Sequence, residues 1–193
     1  VEYGAIPYEI THPGKECAEV SGQIACEGQQ GVSGQAPDQL VWWLTLFTAM
    51  FMHGGLLHLG GNMLFLWIFG NNVEDSMGPV KFLVFYVLGV VCALALQVAT
   101  GPGSEIPTLG ASGAIAAVLG GYLLLYPTAA VITFIPPFFF FPLPAVFFLV
   151  GWFLLQVFAA SSVQVGSAGG GVAYFAHIGG FAAGYLIAAF LGR

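Results

Sequence analysis

Five apolar runs, separated by short polar or Gly- and Pro-containing segments, constrain this chain more than any other feature. Charged residues make up 6% of the sequence, against about 25% in an ordinary soluble domain. A polar side chain or an unpaired backbone group is costly in lipid, so long apolar runs cross membranes as helices. We therefore predict an all-α membrane protein, a helical bundle with spans at about 56–71, 82–100, 112–126, 145–160 and 173–191.

The few basic residues argue against one class of partner. They are Lys15, Lys81 and Arg193, and the net charge is −6. Nucleic-acid binding depends on clustered Lys and Arg that neutralise phosphates. We therefore expect a lipid bilayer as surroundings and no nucleic-acid partner.

Residues 1–55 differ from the apolar core at 56–193. We predict that they form an extracytoplasmic loop with a membrane-interface segment, because residues 1–38 are polar and the following segment contains Trp42 and Trp43. Tryptophan prefers the membrane–water interface.

Cys17 and Cys26 lie in the polar part, where an oxidising space would allow a disulfide. Two free thiols are the alternative, and spacing alone does not decide between them.

The charges predict the orientation of the spans. Consecutive spans alternate in direction, so the first, third and fifth begin on the same side as residues 1–38, where most of the acids lie. Lys81 and Arg193 fall on the other side, and the positive-inside rule places that side in the cytoplasm. Residues 127–144 interrupt the pattern, because five prolines break helices. We interpret them as an irregular or strand-like segment along the membrane surface.

Four polar side chains lie near the beginnings of the three parallel spans. His58 and Asn62 are in the first span, Ser112 begins the third, and His177 is in the fifth. Small residues recur every four positions in the third and fifth spans, a pattern that lets membrane helices approach closely. Packing these stripes together would bring Ser112 within hydrogen-bond reach of His177. A serine beside a histidine is the arrangement of an activated nucleophile.

Acyl transfer also requires donors for the developing oxyanion. His58 and Asn62 share one helix face at positions i and i+4, and both can donate from side-chain N–H groups. The backbone N–H of Ser112, in the first turn of its helix, is a third donor.

We leave His53 open between a structural and a functional role. No metal site is predicted, because the histidines lack a neighbouring carboxylate or thiolate of the kind that zinc prefers.

Three motifs in this order resemble the rhomboid family of intramembrane serine proteases. They are FMHGGLLHLGGNMLFLWIFGNNVED, GASGAIAAVLG and AHIGGFAAG, and GWFLLQ and YGAIPYEIT match as well. The resemblance covers nearly the whole chain.

The resemblance implies a role for each matching residue. Ser112 would be the nucleophile and His177 the general base, with no acidic third member, and His58 and Asn62 would form the oxyanion hole. His53, Gly110, Gly113 and Gly180 would be structural. The segment 161–171 would cap the site and gate the entry of substrates. These would be single-span membrane proteins cut in or near the span, without a cofactor or metal.

The chain departs from the family in one respect, since the family core has six spans and five are visible here. YGAIPYEIT resembles the segment after the family's first helix, so we expect that helix upstream of Val1. Short loops and the absence of a presequence favour a prokaryotic plasma membrane, with the site opening to the extracytoplasmic side.

Two other functions compete with proteolysis. A catalytically silent relative would bind membrane proteins and route them to degradation or trafficking, but such relatives usually lack the Ser or the His. A small transporter or channel is the second alternative, although no inverted repeat is visible. The oligomeric state and the natural substrate are not predicted.

Overall fold

A helix that begins at Ser112 lies at the centre of the computed structural model, which describes residues 2–36, 40–134, 140–162 and 172–192. This helix, α6 (Ser112–Leu125), is buried from Ala114 to Tyr122. Its small residues allow two long helices, α5 (Pro79–Thr100) and α8 (Tyr174–Leu191), to pack directly on it. The central position of α6 surrounds its first residue with other elements.

The polar N-terminal segment forms a small folded unit. A short helix, α1 (Pro7–Thr11), precedes an antiparallel hairpin of β1 (Cys17–Val20) and β2 (Gln23–Cys26). Ser21 and Gly22 form the two-residue turn with positive φ angles, as a tight hairpin turn requires. A disulfide joins Cys17 to Cys26, the two ends of the hairpin. Of the two alternatives left open above, the structure therefore shows the bonded one.

Hydrogen bonds fasten this unit to the segment that leads into α6. Ala5 and Thr108 exchange backbone hydrogen bonds of 3.3 and 2.8 Å. Thr11 Oγ1 donates to the Pro102 carbonyl at 2.7 Å, and the Tyr8 N–H donates to Ser104 at 3.0 Å. The N-terminal unit therefore supports the segment that precedes Ser112.

The first apolar run is part of a longer helical path than the sequence predicts. Helix α2 (Trp42–Thr48) carries exposed aromatic side chains and leads through a 3-10 turn to α3 (Leu56–Phe65). A π-helical segment then connects α3 to α4 (Asn71–Met77). The helix continues past residue 71, where the first span is expected to end, and the side chains of Asn71 and Asn72 donate to carbonyls one turn earlier. The break comes at Gly78, whose φ of +82° suits glycine.

The proline-rich segment forms strands, one of the two forms considered above. Strand β3 (Ala130–Phe134) pairs antiparallel with β4 (Phe140–Pro144). Ile132, Phe134 and Phe140 are exposed on this hairpin. Helix α7 (Ala145–Ser162) follows β4 directly.

Within the described residues, three helices are long and apolar enough to cross a membrane: α5, α7 and α8. Together with the mostly helical fold, they make this chain an integral membrane protein. The expected count of five spans is not confirmed. Helix α6 has 14 residues, which cover only about 21 Å at 1.5 Å per residue. The gate expected at 161–171 lies mostly outside the described residues.

Candidate active site

The side chains of Ser112 and His177 meet where α6 and α8 begin. His177 Nε2 lies 2.8 Å from Ser112 Oγ. The two helices pack so closely that a Cβ atom on Gly180 would overlap the carbonyl group of Gly113. This close packing makes the contact between Ser112 and His177 possible. The small-residue stripes thus bring together the two residues that the sequence analysis paired.

A second hydrogen bond orients the imidazole of His177. Its Nδ1 lies 2.8 Å from Gln156 Oε1 on α7. An amide oxygen can only accept, so Nδ1 carries the proton in this contact and Nε2 is the acceptor for the Ser112 hydroxyl. The Trp152 ring packs near the same imidazole, with centroids 5.8 Å apart.

His58 presents a ring N–H donor near the beginning of α6. The backbone N–H of Gly54 donates to His58 Nδ1 at 3.3 Å. Since Nδ1 accepts, the proton of the neutral ring lies on Nε2, which can then donate. A Cβ atom on Gly110 would lie 2.7 Å from this Nε2. The donor therefore lies beside the backbone that leads into Ser112.

Asn62 lies one turn further along α3 and approaches the same backbone. Its side chain is buried, and Nδ2 has no hydrogen-bond partner within the described part of the chain. The same Cβ atom on Gly110 would lie 3.3 Å from Nδ2. A buried amide donor without a partner is costly, so this N–H is available to an oxygen placed in the cavity.

Backbone geometry around Gly110 positions the beginning of α6. The N–H of Gly110 donates to the Ala49 carbonyl at 2.8 Å, and its φ is +99°. Glycine adopts this conformation without the strain that a side chain adds. The first N–H groups of α6, including that of Ser112, have no partner within the helix.

His53 lies behind His58 rather than between the reacting groups. Its ring meets the His58 ring edge-on at 5.2 Å, and Nδ1 contacts the Phe51 carbonyl at 3.2 Å. This placement is compatible with the structural role that the resemblance implies.

A cavity of about 640 Å³ contains these groups. Its lining includes Ser112, His177, His58, Asn62, Trp152 and Gln97. Most of the remaining lining is apolar, so the cavity combines a few convergent polar groups with an apolar wall, as ligand sites do.

Two glutamines at this site were given no role from the sequence. Gln156 contacts His177, and Gln97 Oε1 accepts the backbone N–H of Ala176 at 3.1 Å. Each is a single amide in a long apolar helix, and such polar residues in membrane helices are usually functional. That signal was present in the sequence.

The described residues contain no group of three His, Cys, Asp or Glu side chains that could hold a metal ion. The expectation that no metal takes part stays a prediction.

The fold and the site define a helical integral membrane protein with a serine–histidine pair in a cavity. A model of the Rhomboid domain matches residues 41–193, and the chain belongs to the rhomboid family.

Three relatives illustrate this membership. The chain is 30% identical over 147 residues to Rhomboid protein 1, mitochondrial, of Saccharomyces cerevisiae, covering 74% of this chain and 40% of that protein. It is 31% identical over 157 residues to RHOMBOID-like protein 12, mitochondrial, of Arabidopsis thaliana, covering 72% and 43%. It is 38% identical over 82 residues to Rhomboid protease GluP of Bacillus subtilis, covering 42% and 15%.

The chain thus spans about two fifths of the length of the first two relatives. Those two proteins are mitochondrial and the third is bacterial, so the relatives do not support the expected prokaryotic plasma membrane over a mitochondrial one.

Proposed function

We propose that this chain is an intramembrane serine endopeptidase that cleaves single-span membrane proteins in or near their transmembrane segment. Ser112 is the nucleophile and His177 the general base. His58, Asn62 and the Ser112 backbone N–H form the oxyanion hole. The observation that carries the proposal is the 2.8 Å contact between Ser112 Oγ and His177 Nε2. The same cavity holds the Asn62 amide, whose Nδ2 has no hydrogen-bond partner among the described residues.

The reaction follows from these positions. His177 Nε2 takes the hydroxyl proton as Ser112 Oγ attacks the scissile carbonyl carbon. The oxyanion accepts hydrogen bonds from these three donors, which stabilise the charge that develops on it. His177 then gives its proton to the leaving nitrogen, the C–N bond breaks, and an acyl-enzyme remains. A water molecule, deprotonated by His177, attacks the ester carbonyl. The ester C–O bond then breaks, and His177 returns the proton to Ser112 Oγ.

The polar groups of the cavity favour a substrate segment that is extended at the scissile bond. A transmembrane helix pairs all its backbone groups internally, and lipid offers no replacement partners. The polar groups around Ser112 provide such partners within the protein. Substrate segments that lose helical structure easily, through Gly or Pro, are therefore the expected targets.

A serine-reactive probe tests the nucleophile directly. The purified protein in detergent is treated with a fluorophosphonate, and wild type, Ser112→Ala and His177→Ala are compared. Ser76→Ala is the matched control, since Ser76 Oγ donates to the Val73 carbonyl on α4. We expect wild type and Ser76→Ala to be labelled, and Ser112→Ala and His177→Ala to remain unlabelled. Equal labelling of wild type and Ser112→Ala would contradict the proposal.

Cleavage of a single-span protein in liposomes then separates a protease from a silent binding factor. Ser112-dependent appearance of two fragments supports the protease. Binding of the substrate without cleavage, in a protein that fluorophosphonate does not label, would instead favour the binding factor.

The proposal includes an orientation with residues 1–55 and the cavity on the extracytoplasmic side of the core at 56–193. The Cys17–Cys26 disulfide supports it, because disulfides persist in oxidising spaces. Lys15 and Lys81, the two lysines of the chain, provide the test. A membrane-impermeant amine reagent applied from the extracytoplasmic side should modify Lys15 and spare Lys81, and the reverse pattern would overturn the orientation.

A further inference from the structure

Gln156 is isolated chemically in its helix. Between Ala145 and Ala160, α7 is otherwise built of apolar side chains and glycine, apart from the Trp152 indole. The neighbouring Leu155 and Val157 are exposed on the surface of the helix, whereas Gln156 is half-buried. An amide in such a helix requires a partner, because lipid offers none. The partner here is His177.

The contact has the geometry of a strong hydrogen bond. Gln156 Oε1 lies 2.8 Å from His177 Nδ1, while Nε2 on the other side of the ring lies 2.8 Å from Ser112 Oγ. The three side chains thus form one continuous array across α7, α8 and α6. Trp152, one turn before Gln156, packs on the same imidazole. Helix α7 therefore contacts His177 at two points.

A neutral imidazole carries its proton on either nitrogen, and only one of the two forms can act as base toward Ser112. If the proton were on Nε2, this atom could not accept the serine hydroxyl. An acceptor at Nδ1 favours the productive form and also restrains rotation of the ring. The amide oxygen performs this role without a charge.

We propose that Gln156 is the positioning residue of His177, holding its proton on Nδ1 and its ring in line with Ser112. The inference rests on the proposed function, in which His177 is the base. It assigns an uncharged amide to the place where soluble serine hydrolases use a carboxylate. A carboxylate in lipid carries a large desolvation cost, which the amide avoids.

The test compares Gln156→Leu, which removes the acceptor and matches the neighbouring leucines, with Gln156→Glu, which keeps an acceptor oxygen and adds a charge. Gln97→Leu is the matched control for the position of the His177 proton. It also removes an amide that bonds to α8, but that amide contacts the Ala176 backbone rather than the imidazole.

Two readouts are measured on the purified full chain. The first is the rate of fluorophosphonate labelling of Ser112 as a function of pH. The second is the ¹⁵N spectrum of histidine-labelled protein, in which the His177 signals are assigned with His177→Ala and report which ring nitrogen carries the proton. The spectrum does not depend on activity.

We expect Gln156→Leu to label about 10- to 100-fold more slowly and to lose the excess of the Nδ1-protonated form. Gln97→Leu should keep that form. In Gln156→Glu, the added carboxylate favours the charged imidazole, so the acid limb of the rate profile moves to higher pH by about one unit or more. A merely structural role would leave this limb in place.

The proposal is overturned if Gln156→Leu labels at the wild-type rate, if its His177 keeps the wild-type proton position, or if the acid limb of Gln156→Glu does not move. Failure of the proposed function has a different signature. In that case the wild-type protein is not labelled at all, while the ¹⁵N spectrum still reports whether Gln156 holds the proton on Nδ1.

Discussion

An alanine at Gly110 tests the proposed oxyanion hole without removing any of its donors. The added Cβ atom would lie 2.7 Å from His58 Nε2 and 3.3 Å from Asn62 Nδ2. Heavy atoms in unstrained contact are ~3.5 Å apart, so Nε2 must withdraw by about 0.8 Å. The methyl group therefore displaces one donor and crowds the second.

The expected cost is that of losing one oxyanion donor. Such a loss lowers kcat by about 10²–10³, equivalent to about 2.7–4 kcal/mol in the transition state. KM should change little, because the donors act on charge that develops during the reaction. An alanine at the Gly110 φ of +99° also adds backbone strain of roughly 1–2 kcal/mol to the folded state.

A matched control separates the strain from the loss of the donor. Gly22 also has a positive φ, +81°, but a Cβ atom there would meet no atom within 4 Å. Gly22→Ala should therefore share the strain and keep the activity. The assay is cleavage of a single-span substrate in liposomes at several substrate concentrations, with thermal unfolding to confirm that both variants are folded. Folded Gly110→Ala that turns over within about threefold of Gly22→Ala, less than 1 kcal/mol in the barrier, would refute the oxyanion assignment.

Three further predictions concern packing, charge and the disulfide. Gly180→Ala should reduce the rate of substrate cleavage by about 100-fold or more, because the added methyl group separates α6 from α8. Gly151→Ala on α7, where a Cβ atom would meet no atom within 4 Å, should cleave at the wild-type rate. Equal rates for the two variants would contradict the packing argument. Burial raises the pKa of Glu9, so its contribution to stability is largest in acid and declines as pH rises through that raised value. Glu9→Gln should therefore raise the thermal midpoint at pH 7, and the gain should vanish below the ordinary value of 4.5; a gain independent of pH would show that the carboxyl charge is not its cause. Replacing Cys17 and Cys26 by alanine removes a disulfide whose loop closure stabilises the N-terminal segment by about 2.5 kcal/mol. Tryptic cleavage in this segment should therefore accelerate roughly 60-fold. Unchanged cleavage would mean that the disulfide does not stabilise this segment.

The sequence predicted local features whose causes are local. Apolar runs with few charges indicate membrane helices, because the cost of burying a charge in lipid does not depend on the rest of the fold. Small residues every four positions indicated which helix faces meet, and the contact between Ser112 and His177 agrees with that pattern. The helical path continues beyond residue 71, because the asparagines there bond back to their own helix.

The tertiary structure alone decided which partners the polar atoms have. Gln156 and His177 are 21 residues apart on different helices, and no spacing rule in the sequence relates them. The state of Cys17 was equally open until the hairpin register placed it opposite Cys26. Helix formation depends on neighbouring residues and on the solvent, which the sequence reveals. A hydrogen bond between two helices depends on their relative placement to within a few tenths of an ångström, and only the packing of the whole chain determines that placement.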